Sequence, residues 1–356
     1  MDDTNPLCEE LSAIFDWHQA RINCLGNLIF ALFTVKTVNL SQISIAFKGK
    51  ASKGSKYRRL QRFFREVRIS QYVVAKFIGK LLARRSEEKW VLAMDRTNWK
   101  FGKKDINILM LAVVVEGVAL PLIWSFLQKK GNSSTEERIS LMNRYRHYFG
   151  VSKMKYLTGD REFVGSEWIQ YLKDNKIPYV LRIRNNFKMT TSTGKITKAS
   201  NLFRNLAVGK EKCLGLRQLW GHQVHVQGLN LGSREYLILI SCEDAAEALS
   251  KYSKRWNIET MFGSLKSKGL GFEDTHMYQI EKLKNLMAIL AIAFCWAYLV
   301  GEWRASINPP RIKSHGRKAI GIFKMGLDHI QTVLFHSNFG ENMFLEIMSV
   351  ITMRRE

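Results

Sequence analysis

Between Trp90 and Ile183 three consecutive β-rich runs are followed by alternating helical and strand patterns, and few folds accommodate that order. Trp90–Met94 is a short apolar run stopped by Asp95, Ile106–Val115 is a longer one, and Val118–Phe126 follows the turn at Glu116-Gly117. Short links make the three an antiparallel meander. Two overlapping capping signatures, Ser133 with Glu136 and Ser134 with Glu137, open a helix through Ile139, Met142 and Tyr145 to Gly150. Met154–Thr158 is a fourth strand that delivers Gly159-Asp160; Trp168, Ile169 and Leu172 mark a second helix, and Ile177–Ile183 a fifth strand. The order βββαβαβ predicts an α/β core, a mixed sheet flanked by helices.

On either side the spacing is different. From Leu7 to about Lys89 it is helical, with apolar clusters at Ile22–Val35 and Tyr72–Leu82 around a basic centre. Ser41–Phe47 reads as a short helix and Gly49–Ser55 as a turn. A second helix from Tyr57 carries Leu60, Phe63, Phe64 and Val67 on one side and Arg58, Arg59, Arg62 and Arg65 on the other. This fits a helix-turn-helix reader of DNA, and equally a solvated basic helix packed on a bundle. From Asn185 to about Ser241 short alternating runs such as Val224-His225-Val226-Gln227 point to a β-rich insertion. Helical spacing resumes at Asp244 and lasts to about Trp303, and the tail containing Lys313-Ser314-His315-Gly316-Arg317-Lys318 is basic. The predicted divisions are a helical region at 1–89, core at 90–184, insertion at 185–241, core again at 242–304, and a helical tail at 305–356.

Charge bears on the partner. Lys and Arg number 55 against 31 Asp and Glu, a formal net charge of +24 over 356 residues, which points to a polyanion. Nucleic acid is favoured over a membrane surface, because no lipidation signal or amphipathic anchor accompanies the basic residues. Cys8, Cys24, Cys213, Cys242 and Cys295 are odd in number and include no Cys-x-x-Cys pair, so neither a disulfide framework nor a structural zinc is expected. Met1-Asp2-Asp3 does not lead from basic residues into an apolar segment, so no secretory signal and a cytoplasmic location are expected. The longest apolar run, Leu286–Val300, falls short of the ~20 residues of a membrane span and is expected to be a buried core helix.

Asp95 and Asp160 end the first and fourth strand patterns, which are neighbours in a sheet of this order. Carboxylates at adjacent strand ends suit a hard divalent cation such as Mg²⁺, although a lone aspartate after a strand is most often a plain loop residue. A third acid, Glu259, sits in Tyr252-Ser253-Lys254-Arg255-Trp256-Asn257-Ile258-Glu259. On one continuous helix Tyr252, Arg255, Glu259 and Lys266 fall within roughly 60°, apart from an apolar stripe of Ile258, Met261, Phe262 and Leu265. Such a face sets an acid beside two cations, as a site for metal and phosphate requires; the plain alternative is an i,i+4 pair of Arg255 with Glu259. Glu162 reads as a supporting carboxylate rather than a metal ligand. His222 and His225 would lie on opposite faces of a strand with no acid beside them, and read as solvent-facing.

The spacing Tyr-x2-Arg-x3-Glu-x6-Lys, filled by Tyr252, Arg255, Glu259 and Lys266, resembles the signature of the insertion-sequence-four family of bacterial transposases. Met94-Asp95-Arg96-Thr97 and Gly159-Asp160-Arg161-Glu162-Phe163 resemble its two other blocks, and Asn285–Trp303 the segment after its glutamate. The likeness covers roughly residues 90 to 325. It implies a ribonuclease-H-like catalytic core, matching the βββαβαβ order, interrupted by a β-rich insertion before the glutamate helix. It implies Asp95, Asp160 and Glu259 as catalytic residues and ligands of two Mg²⁺ ions, with Mn²⁺ able to substitute. The reaction implied is cut-and-paste transposition by in-line displacements at phosphorus: nicking, hairpin formation, hairpin opening and strand transfer.

The partners implied are the transposon ends and target DNA, with a homodimer in the synaptic complex. Tyr252 and Arg255 would hold phosphates near a flipped base, Lys266 would grip the backbone, and Arg58, Arg59, Arg62 and Arg65 would bind the transposon end. The family's insertion carries a Trp that stacks on the flipped base; here Tyr236 occupies the corresponding strand, and Trp220 is the other candidate. A ribonuclease-H-like nuclease that cuts without joining, and a transposase-derived DNA-binding protein without catalysis, are the alternative readings.

Overall fold

The computed structural model describes residues 6–83, 88–102, 104–243, 245–314, 316, 318–335, 346–347 and 349–350. Met1-Asp2-Asp3, the helix start expected at Asp244, His315 and Arg317 of the basic tail, and most of 336–356 lie outside the described residues.

The chain begins with helices α1 (Pro6–Ile14), α2 (Gln19–Val35), α3 (Leu40–Ala46), α4 (Lys53–Glu66) and α5 (Gln71–Ala83). α4 starts at Lys53, earlier than Tyr57, because Ser52 caps it: the Ser52 hydroxyl accepts from the Ser55 N–H at 3.3 Å. Strands β1 (Trp90–Phe101), β2 (Lys104–Val115) and β3 (Val118–Leu127) come next, then α6 (Thr135–Phe149), β4 (Met154–Gly159), α7 (Ser166–Asp174) and β5 (Tyr179–Ile183). The segment expected as an insertion holds β6 (Lys188–Thr190), β7 (Ile196–Lys198), β8 (Glu211–Leu219), β9 (His222–Gly232) and β10 (Glu235–Ser241). α8 (Ala248–Ser253), α9 (Trp256–Leu265), α10 (Ile280–Ile307) and α11 (Ile322–Phe335) follow.

Internal packing groups the chain into two units, one of Met1–Leu82, Lys100–Lys104 and Phe262–Glu356, the other of Ala83–Trp99 and Asp105–Met261. The second unit is built on an eight-stranded sheet in the order β3-β2-β1-β4-β5-β10-β9-β8. β1, β4 and β5 run parallel, while the pairs β2 with β3, β5 with β10, and β10 with β9 run antiparallel. This is the mixed, helix-flanked sheet of a ribonuclease-H-like core. Its β5 edge is extended: Ile238–Ser241 of β10 pair with Ile183–Val180, so three strands of the 185–241 segment continue the core sheet, while β6 and β7 pair apart. An unpaired central edge would leave backbone donors and acceptors exposed, and β10 satisfies them. The Ser134 signature caps α6 with a full capping box to Glu137; Ser133 does not cap and bonds elsewhere. Val91, Tyr156, Val180, Leu239, Ala248 and Tyr252 form one apolar cluster, which anchors α8 on the sheet.

In the helical unit, α10 is buried from Leu283 to beyond Val300 on nearly every side, as an all-round apolar core helix must be. It is a longer helix than the apolar run suggests: at 28 residues it is long and apolar enough to cross a membrane, and 94% of its apolar window is buried inside the protein. Its buried amide is used: Asn285 donates to Val67 O at 2.8 Å and accepts from the Ile69 N–H at 3.0 Å, which ties down the chain leaving α4. α10 and α11 approach through Gly301 and Gly326, where an added Cβ would overlap the carbonyl oxygens of Ile322 and Ala297.

Candidate active site

β1 and β4 are parallel neighbours with Met94 opposite Gly159, so Asp95 and Asp160, the next residue on each chain, stand side by side. Asp95 does not end its strand as the apolar run suggests: β1 continues to Phe101, past the point where β4 stops, because β2 remains beside it. After β4 the chain turns at Asp160, whose carbonyl accepts from the Phe163 N–H at 2.8 Å. Phe163 is buried beneath that turn, and a Cβ on Gly159 would come 3.1 Å from it, so the small residue before Asp160 makes room for the ring.

Tyr252, Arg255 and Glu259 reach this point by a route other than a continuous helix. α8 ends at Ser253 and α9 begins at Trp256, and the link is stitched by short-step bonds: Arg255 N–H to Tyr252 O at 2.9 Å and Ile258 N–H to Arg255 O at 3.0 Å. The tighter winding rotates α9 relative to the expected single face. The Tyr252 hydroxyl donates to Asp160 Oδ1 at 3.2 Å and accepts from Arg255 Nε at 3.0 Å. Arg255 Nη1 lies 2.8 Å from Glu259 Oε1 and 3.4 Å from Asp95 Oδ2, in a side chain only 6% exposed. The i,i+4 pair is therefore present, and it is one arm of a chain of bonds joining all three acids.

Burial pushes the Asp95 carboxyl up to about 6, with Glu259 and Asp160 adding to the rise; the Arg96 N–H on Oδ1 at 2.7 Å and the Arg255 charge only partly oppose it. Burial also pushes the Tyr252 phenol up to about 12, which keeps it a hydrogen-bond donor. Among the described residues no three His, Cys, Asp or Glu side chains converge into a ready-made metal cage. Mg²⁺ does not require one, since it is usually held by one or two carboxylates with waters and phosphate oxygens completing its shell. The adjacent hard oxygens of Asp95 and Asp160, in a pocket that disfavours uncompensated negative charge, fit such an ion.

Two neighbours support the acids. Glu162 accepts from Arg96 Nε at 3.2 Å and from the Ser133 N–H and hydroxyl at 2.9 and 3.0 Å, so it holds Arg96, the residue whose backbone N–H orients Asp95. Arg182 on β5, which sequence reading does not single out, places Nη1 3.7 Å from Asp160 Oδ1 and Nη2 3.4 Å from Glu235. An arginine inside the otherwise apolar Tyr179–Ile183 strand was the signal available. Trp256, also not singled out, is 63% exposed with its ring 5.7 Å from the Arg255 guanidinium.

Lys266 follows the end of α9 in the helical unit, where Nζ pairs with Glu273 at 2.7 Å. Tyr236 is buried on β10, tilted against Phe203 with ring centroids 6.3 Å apart, so its face is covered by packing. Trp220 sits at the β8–β9 turn with φ 52°, 37% exposed and edge-on to Phe187. His222 bonds Ser166 Oγ at 3.1 Å, and His225 is half-buried. Arg58, Arg62 and Arg65 are exposed on α4, whereas Arg59 is half-buried, donating to Ala20 O at 3.3 Å and lying over Phe47.

Residues 86–296, more than half of the chain and including Asp95, Asp160 and Glu259, match the family model described as Transposase DDE domain. No curated protein matches the chain.

Proposed function

The chain belongs to the DDE transposase family, and from that premise we propose that it performs cut-and-paste transposition with Asp95, Asp160 and Glu259 as its catalytic carboxylates. As a transposase it acts on DNA by phosphoryl transfer. The observation that most supports the residue assignment is the bonded chain Asp160–Tyr252–Arg255, from which Arg255 reaches both Asp95 and Glu259. Within the family we assign the chain to the insertion-sequence-four group on the spacing of Tyr252, Arg255, Glu259 and Lys266.

Divalent ions, Mg²⁺ or Mn²⁺, held by Asp95 and Asp160 with Glu259 would supply activation of the attacking oxygen and stabilisation of the leaving one. The protein's own groups position. The Arg96 N–H fixes one oxygen of Asp95, and Tyr252, kept protonated, fixes one oxygen of Asp160. Arg255 has a planar fork matched to carboxylate and phosphate alike, so a phosphodiester entering the site can take over part of the guanidinium now shared by Asp95 and Glu259. The exposed Arg58, Arg62 and Arg65 of α4 contact the transposon end, Lys266 grips the DNA backbone, and two copies of the chain synapse two ends. A hairpin intermediate and a cytoplasmic location complete the reading.

The experiment is a cleavage assay on a labelled end fragment with Mg²⁺, the end sequence being taken from inverted repeats flanking the gene. Hairpin and joined products support the proposal. Nicks alone favour a nuclease without strand transfer, and a mobility shift without cleavage favours a DNA-binding protein.

A further inference from the structure

A cleft of about 630 Å³ opens within the helical unit, between the start of α3, one side of α4 and the segment from His276 to Lys282. Tyr57, Tyr278, Arg65, Lys282 and His276 line it, and among the described residues no carboxylate does. The two tyrosines are 36% and 50% exposed, and Lys104 stands 4.2 Å from the centroid of the Tyr278 ring. Arg65 has a partner, Glu66 at 2.9 Å, but both side chains are well exposed at 70% and 48%, and such a surface pair yields readily to a competing anion.

The chemistry of this lining selects its occupant. A small inorganic anion has no use for two part-exposed aromatic rings, and an apolar ligand has none for a cationic rim. Aromatic faces interleaved with cations are the pattern by which proteins hold single-stranded nucleic acid, bases stacking on the rings and phosphates lying on the charges. The volume falls within the range of small-ligand sites, about 300–1,000 Å³, and is too small for a duplex, whose base faces are in any case hidden by stacking.

We propose that this cleft holds an unpaired nucleotide of the DNA strand, its base against Tyr57 and Tyr278 and its flanking phosphates on Arg65 and Lys282. The proposal rests on the reading of the chain as a transposase working on DNA ends, and adds to it a preference for ends that carry an unpaired strand.

The test uses the full-length protein in EDTA, so that no strand is cut, with three labelled duplexes: blunt, with a short thymidine overhang, and with an abasic overhang of the same length. The thymidine overhang should bind more tightly than the other two. Tyr57→Ala or Tyr278→Ala should weaken that binding about 5- to 100-fold, the range of one lost base stack, and leave blunt-end binding unchanged. Tyr278→Phe, which keeps the ring, should bind like the parent, and Lys282→Gln should flatten the salt dependence of overhang binding by about one phosphate contact. Equal affinity for thymidine and abasic overhangs would overturn the proposal, as would an undiminished thymidine preference in both alanine variants. Blunt-end binding with no overhang preference removes the cleft and leaves the transposase reading intact; failure to bind any of the duplexes counts against both.

Discussion

Arg255 and Glu259 stand one helical turn apart, and the guanidinium that meets Glu259 Oε1 at 2.8 Å also reaches Asp95 Oδ2 at 3.4 Å on a different element. A residue pair that looks like ordinary helix stabilisation is thereby tied to the first acid of the site.

Asp95→Asn, Asp160→Asn and Glu259→Gln should each lower Mg²⁺-dependent cleavage of an end fragment by at least about 10³-fold. DNA binding should stay within about threefold of the parent, because phosphate contacts rather than metal ligands carry affinity. Appreciable cleavage by any one of them removes that residue from the catalytic set.

Arg255→Lys keeps the charge but not the fork. The three donors of an ammonium sit on one nitrogen and cannot reproduce the spread of Nε on Tyr252 and Nη1 on Asp95 and Glu259, so cleavage at saturating DNA should fall about 100-fold. Rates within a few-fold of the parent would show that charge alone suffices at this position.

Asp95 also makes metal-free stability depend on pH. Its carboxyl rises from 3.8 to about 6 on folding, so the folded state binds the proton more tightly than the unfolded one. The stability this contributes is fully present below about pH 3.8 and is lost as the pH rises through about 6. Asp95→Asn abolishes that loss, so in EDTA the variant should be the more stable protein at pH 7.5, by on the order of 2–3 kcal/mol at most, with the gap narrowing below pH 6 and closing towards pH 4. Denaturant titrations across that range decide it; a difference that does not change with pH contradicts the assignment.

Asn285→Ala leaves the Ile69 N–H buried without its partner and takes one of two donors from Val67 O, the other being Arg68 Nη1 at 3.0 Å, and should destabilise the helical unit by about 1–3 kcal/mol. Gly326→Val, which drives a side chain into the Ala297 carbonyl, should cost at least as much. A midpoint of helix loss unchanged in either variant would show that the α10 packing described above is not what holds this unit.

What the sequence determined by itself was set by local chemistry. The alternation of apolar runs dictates the element order and with it the α/β core, and the Ser134–Glu137 capping box starts α6 where its side chains require. The neighbouring strands that carry Asp95 and Asp160 follow from the same order, and the spacing of Tyr252, Arg255 and Glu259 is written in the chain. Tertiary structure decided what depends on partners far away in sequence. Only the edge of β5 turns β10 into a core strand, and Phe203, distant in sequence, packs against Tyr236 where a free insertion strand could have shown its ring. Only the sheet brings Arg182 to Asp160, and only the break between α8 and α9 aims Arg255 at Asp95 while Tyr252 faces Asp160. Periodicity reports which face of an element is apolar; it carries no information about which remote backbone or carboxylate that face will meet, because that energy exists only once the chain has closed on itself.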